Sequence, residues 1–274
     1  MPRQLVKALS LAFVMVLSIG CTVTEMEVSK TIGSSSASKV SASSHDNKRN
    51  KQKEASDTYV QLGLGYLQRG NRQRARTNLL KALEKNKDSG AAHNGLALLF
   101  QMEDESELAE EHFLKAISYE PELTRVRNNY GVFLFRQDRY EDAYQQFLVA
   151  SEDINYRRRA NVFFSMGQAA KKLGQSDRAQ EAWEKAATLN ADLPEPFLEL
   201  ATAYFSAKDF PRAKRYLERY DQLSKPSPRA LWLALRLEDT FGNKDAVASK
   251  ALALTKLFPY SKEALEYKAW LKAY

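Results

Sequence analysis

One spacing governs what this chain can fold into. A small residue followed four places on by a second apolar one recurs as Ala75 with Leu79, Ala109 with Phe113, Ala143 with Phe147, Ala179 with Trp183, Ala213 with Leu217, and Val247 with Ala251. Successive first members are 34, 34, 36, 34 and 34 residues apart. Positions i and i+4 lie one above the other on a helix, so each pair is the buried stripe of one helix. A fixed period of this length describes stacked supersecondary units rather than a globule around a single centre.

The remaining positions fall into the same register. A first helix carries Leu62-Gly63 with Tyr66, Tyr130-Gly131 with Leu134, Met166-Gly167 with Ala170, and Leu200-Ala201 with Tyr204. A second helix ends in Ala82, Ala116, Ala150 and Ala186, with turns at Gly70-Asn71, Gln137-Asp138, Gly174-Gln175 and Gly242-Asn243. Pro121 and Pro259 stand at unit ends, where proline stops a helix. This resembles the tetratricopeptide (TPR) repeat, W-x2-L-G-x2-Y…A-x3-F…P over about 34 residues. The resemblance implies an all-α, right-handed superhelical solenoid of six helix pairs, at 56–89, 90–123, 124–157, 160–193, 194–227 and 228–261, plus a capping helix at 262–274. That last helix is expected to place Ala264, Tyr267, Leu271 and Tyr274 on its packed side. The two extra residues fall within 151–156, in the connection between the third and fourth units. His93 takes the first large-residue slot of the second unit, and the sixth unit has Leu235, Glu238 and Val247 where Gly, Tyr and Ala are usual.

The front of the chain follows different rules. Arg3 and Lys7 precede an apolar run from Ala8 to Leu17, then Ser18-Ile19-Gly20-Cys21. A basic start, a short apolar core and small residues before a cut site describe a secretory signal peptide over residues 1–20. The run is shorter than the roughly 20 residues a membrane-spanning helix needs. Leu17-Ser18-Ile19-Gly20-Cys21 resembles the lipobox of bacterial lipoproteins, which implies that the thiol of Cys21 takes diacylglycerol and that Cys21 becomes a multiply acylated (palmitate-type) N-terminus. Several acyl chains suffice for stable anchoring. Thr22 rather than Asp after the cysteine implies the outer membrane of a Gram-negative cell. From 21 to 55 the composition turns to Ser, Lys, Asn and Gln, with Lys48-Arg49-Asn50-Lys51-Gln52-Lys53 near its end. Such a stretch cannot offset its ordering entropy by burial, so it is expected to be a disordered tether with a reach of roughly 30 Å.

The inner wall of a TPR array is lined by first helices. Its candidate binding residues are Val60, Leu64, Leu67, Asn94, Leu98, Asn128, Val132, Phe135 and Phe164, with Gln101, Gln168, Lys171, Leu198, Thr202, Phe205, Trp232, Arg236 and Asp239 completing the lining. Apolar side chains edged by amides suit an extended peptide or an amphipathic helix, although about half of these positions are as well explained by packing between helices. The carboxylate clamp that some TPR proteins use for a partner's C-terminus needs Lys/Asn/Lys/Arg; only Arg125 matches, so apolar recognition is expected instead.

Chemistry finds little purchase. With one Cys and three His among 274 residues, no thiolate cluster and no His/His/acid spacing for a metal is present. No G-x-S-x-G, Walker or G-x-G-x-x-G sequence occurs. The acidic run from Glu103 to Glu111 reads as a solvated turn and helix start. The formal charge of +7 mixes both signs along most of the chain, and Arg157-Arg158-Arg159 reads as a solvated loop or partner patch rather than a nucleic-acid site. No catalytic residue, metal, cofactor, nucleic acid or small-molecule substrate is expected.

Taken together, lipobox, Ser-rich spacer, six TPR units and terminal helix resemble the type IV pilus biogenesis/stability lipoproteins, the pilotins of the Pil system. Tyr59-Val60-Gln61-Leu62-Gly63-Leu64-Gly65-Tyr66-Leu67 and Asn128-Asn129-Tyr130-Gly131-Val132-Phe133-Leu134 carry the likeness most closely. The resemblance implies a protein that binds the pilus secretin, brings it to the outer membrane and promotes its multimerisation. A scaffold lipoprotein of another envelope machine, serving barrel assembly or control of peptidoglycan synthesis, has the same outline, and a cell-wall hydrolase is the enzymatic rival.

Overall fold

A computed structural model describes residues 35–273. The signal peptide, the lipobox with Cys21, and Tyr274 lie outside the described residues. Residues 48–274 form one compact unit, and the architecture that follows is that of this unit. Thirteen helices and no strand occur among the described residues: α1 Ser35–Gln68, α2 Arg72–Lys85, α3 Gly90–Met102, α4 Ser106–Tyr119, α5 Thr124–Arg136, α6 Tyr140–Glu152, α7 Arg159–Lys172, α8 Ser176–Leu189, α9 Pro194–Ser206, α10 Phe210–Leu223, α11 Pro228–Thr240, α12 Lys244–Leu257 and α13 Lys262–Ala273. Consecutive helices pack as hairpins, and first helices of neighbouring units also meet, α3 with α5, α5 with α7 and α9 with α11. This is the all-α TPR solenoid.

The period is written into the turns. A left-handed residue closes the first helix of every unit: Gly70 (φ 73°), Asp104 (61°), Asp138 (59°), Gly174 (74°), Lys208 (61°) and Gly242 (74°). The N–H of the following residue returns to the carbonyl five places back, as in Asn71 to Tyr66 (2.9 Å), Arg139 to Leu134 (3.0 Å) and Asp209 to Tyr204 (2.9 Å). That is the Schellman bond, and it satisfies carbonyls the helix end would otherwise orphan. Glycine adopts this conformation freely; Asp104, Asp138 and Lys208 hold it against a steric cost of roughly 1 kcal/mol each. Side-chain oxygens of Asn71, Ser89, Asp209 and Ser227 then cap the helices that begin beside them.

Inside the first five hairpins the repeated pair is buried, and in the sixth Ala251 is buried while Val247 is half-buried. Ala75, Leu79, Ala109, Phe113, Ala143, Phe147, Ala179, Trp183, Ala213 and Leu217 are all at most 4% exposed. A Cβ on Gly131 would stand 2.7 Å from the Phe147 ring, and one on Gly167 2.4 Å from the Trp183 indole nitrogen. The aromatic therefore fits only because its partner helix has no side chain at that point.

Two expectations need correction. The tether read as disordered through 55 is helical from Ser35. Ser56 and Val60 are buried, and Ser56 Oγ donates to Ala82 O at 2.9 Å. These contacts hold the helix at its packed end, and the Lys, Gln and Ala residues just before them are compatible with its continuation although 47–54 are exposed. At the other end, Leu271 is 51% exposed. Ala264 is buried with Leu231 and Leu254, and Trp270 joins Tyr267 and Trp232 in an aromatic cluster with centroids 6.1–6.4 Å apart. The wider Trp270 side chain takes the place assigned to leucine. The outer face of α13 carries exposed Leu265, Lys268 and Lys272, which ends the array on a partly charged surface.

Candidate partner-binding site

Three of the nine candidate wall residues serve packing. Val60 sits in a cluster with Ala82 and Ala92, and Leu67 in one with Ala75, Leu79, Leu96 and Leu99. Asn94 is 1% exposed. The other six, Leu64, Leu98, Asn128, Val132, Phe135 and Phe164, are half-buried, and the five apolar ones rest on the core. Leu64 and Leu98 each bridge two of the array's apolar clusters, so their positions are fixed by what lies beneath them. Phe135 is held edge-on by Tyr140 at 5.2 Å.

Amides join the first helices in this region. Asn129 Nδ2 donates to Asn94 Oδ1 at 3.0 Å, linking α5 to α3. The Nδ2 of Asn94 is buried and has no hydrogen-bond partner. An unmet buried donor costs about 1–3 kcal/mol, and with Asn94 this deeply buried the cost falls on the packing between α3 and α5. Asn129 was not among the nine, yet it directly follows Asn128 and contacts Asn94 one repeat earlier; an amide recurring at that interval was the available signal.

The later units are built differently. Glu199 is buried, and its two oxygens accept from Lys171 Nζ on α7 at 2.8 Å and Arg229 Nη1 on α11 at 2.9 Å. Burial alone would raise this carboxyl, but the hydrogen bonds from Arg229 and Lys171 outweigh it and hold it below the ordinary range. Arg236 stacks over Phe205 at 4.6 Å and Trp232 at 5.8 Å. The wall is thus apolar and amide-edged over the early units, and cationic and aromatic over the later ones.

Elsewhere, His93 occupies the buried slot expected of it. Its Nδ1 lies 3.0 Å from Nδ1 of His112, and its ring stacks on Tyr119 at 5.4 Å. Burial lowers both histidines, His112 to about 4. Among the described residues no group of three or more His, Cys, Asp or Glu side chains could hold a metal ion, and no helix is long and apolar enough to cross a membrane.

Known proteins give the same outline. A family model for the tetratricopeptide repeat matches residues 60–118 and 164–228. The type IV pilus assembly protein PilF of Pseudomonas aeruginosa is 41% identical over 216 residues, 79% of this chain and 86% of that protein. A solved structure of Pseudomonas aeruginosa PilF matches with a TM-score of 0.76, covering 80% of this chain and 99% of that one. The structure of PilW, described as a widely conserved type IV pilus biogenesis factor, matches with a TM-score of 0.66 at 25% identity, over 77% of this chain and 97% of that one. At 41% identity over 86% of that protein's length, this chain belongs to the family of the type IV pilus assembly protein PilF.

Proposed function

We propose that the chain is a pilotin: an outer-membrane lipoprotein that binds the type IV pilus secretin on its inner wall and promotes that protein's localisation and multimerisation. One observation carries the reading. In a member of the PilF family, half-buried Leu64, Leu98, Val132, Phe135 and Phe164 offer anchored apolar surface on the first helices. A polypeptide segment with apolar side chains covers such a wall. The role is non-catalytic: a held segment is kept from mispairing, the lipid on Cys21 sets the destination, and the segment before Ser56 gives reach.

The test is a Cys21→Ala strain assayed for the place and state of the secretin. Secretin retained away from the outer membrane, with its multimers lost, is the expected outcome. Normal outer-membrane multimers would reject the sorting role. Crosslinking from the inner wall identifies the partner and separates this reading from service to another envelope machine.

A further inference from the structure

The connections between units are four residues long at 86–89, 120–123, 190–193, 224–227 and 258–261, but six at 153–158. A cleft of about 340 Å³ stands at this irregular junction, between the second helices α6 and α8 and floored by α7. Leu148, Phe163, Met166 and Ala182 give it an apolar base. Cations surround that base. Arg159 lies over the Phe163 ring at 5.4 Å and Lys185 over the same ring at 5.7 Å, while Arg178 lies over Tyr144 at 5.7 Å. Arg159 is held in place by donating from Nε to the Ser151 carbonyl at 2.7 Å. Exposed Arg157 and Arg158 directly precede it. Glu152, Asp153 and Glu181 are the acids of the region; Lys185 pairs with Glu181 at 2.7 Å, and Asp153 accepts from Thr124 at 2.6 Å.

We propose that this junction is a second docking site, separate from the inner wall, for an acidic stretch of polypeptide carrying an aromatic or branched aliphatic side chain beside its carboxylates. The excess of Arg and Lys supplies the charge complement, and guanidinium groups stacked on rings still have donors for carboxylate oxygens, Arg178 giving one, from Nη1, to Gln175 Oε1 at 3.1 Å. The apolar base decides the class of ligand. A free anion would leave Leu148, Phe163 and Met166 uncovered, whereas a peptide side chain fills a space near the lower end of ligand-pocket volumes, about 300 Å³. The arginine triplet and the two-residue insertion thereby acquire one explanation, an opening in the array with a positive rim.

The experiment is fluorescence anisotropy of a labelled Asp-Glu-Phe-Asp-Glu peptide titrated with the full chain near physiological salt. Binding should fall at least tenfold for Arg178→Glu with Lys185→Glu, and measurably for the milder Arg178→Gln with Lys185→Gln, which guards against misfolding. It should also fall at least tenfold when the peptide's Phe is replaced by Gly, and stay unchanged in the inner-wall variant Leu98→Glu. The proposal is overturned if both cleft variants bind like the parent, if the Gly peptide or inorganic phosphate competes as well as the Phe peptide, or if Leu98→Glu abolishes binding.

Discussion

The two halves of the inner wall are made from the same hairpin and hold together by different chemistry. Across α3 and α5 the link is a neutral amide pair, Asn94 with Asn129, beside half-buried leucine, valine and phenylalanine. Across α7, α9 and α11 it is a buried carboxylate neutralised from both sides by Lys171 and Arg229. The first arrangement leaves apolar surface accessible; the second satisfies Glu199 internally and spends its charge on joining three helices. The repeat therefore sets the scaffold, while the inward side chains decide what each part offers a partner: an apolar surface over the early units, and over the later ones a cleft of about 290 Å³ in which Phe205 and Trp232 are flanked by Arg229 and Arg236.

The sharpest way to break that contrast is to put a charge on each half. Leu98→Glu is expected to lower capture of the secretin by at least about thirtyfold, the effect of a 2 kcal/mol anchor, with helicity unchanged by circular dichroism. Arg236→Glu, on the later half, should leave capture within about twofold, well below an anchor's effect. Equal losses in titrated pull-downs would erase the distinction.

A second expected outcome concerns stability. Glu199→Gln removes the acceptor charge from a buried site whose cations are half-exposed and can rehydrate, so a cost of about 2 kcal/mol is expected, below that of a wholly buried pair. Urea unfolding should show it while secretin capture persists. Removing the Asn129 amide by Asn129→Ala should cost less, about 1 kcal/mol, since a neutral hydrogen bond is lost.

Acid offers a third probe. The folded pKa of His93 and of His112 lies below the ordinary value, His112 at about 4, so the fold favours the neutral rings. Their contribution is present above pH 6.5 and is lost as pH falls from there toward 4. Hydrogen exchange in α3 and α4 should accelerate over that window, and His112→Phe should flatten the response. The Glu199 carboxylate acts lower: its folded pKa is depressed, so its contribution fades only below the ordinary carboxylate range. The early half should therefore loosen before the later one on acidification.

The smallest effect lies in the turns. Lys208 holds φ at 61°, a conformation that glycine adopts without strain. Lys208→Gly should raise stability by about 0.5 kcal/mol, the relief of strain being partly offset by the looser unfolded chain. A measured loss would show that the lysine side chain contributes something the turn geometry does not.

The scaffold was legible because repetition multiplies a weak local signal: Ala143 with Phe147 alone is one amphipathic turn, but six such pairs at one spacing admit a single architecture. What stayed hidden was set by neighbours rather than by local pattern. Leu271 and Trp270 are adjacent and both apolar, and only the Trp232 ring beneath α13 selects the second. Glu199 reads as a solvated acid until Lys171 and Arg229 are placed 28 and 30 residues away. Residues 35–55 carry little apolar content, so burial arguments made them coil, although the helix that packs through Ser56 and Val60 runs from Ser35. Leu64 and Val60 share a helix face in the sequence, yet Val60 is closed over by Ala82 and Ala92 while Leu64 keeps an open side.

A photo-crosslinking amino acid placed at position 98 of the full chain, and in a parallel strain at position 205, measures the division of the wall most directly. A secretin adduct from position 98 and none from position 205 is the predicted result. An adduct from 205 alone, or from neither, would mean that the apolar early units are not where the partner is held.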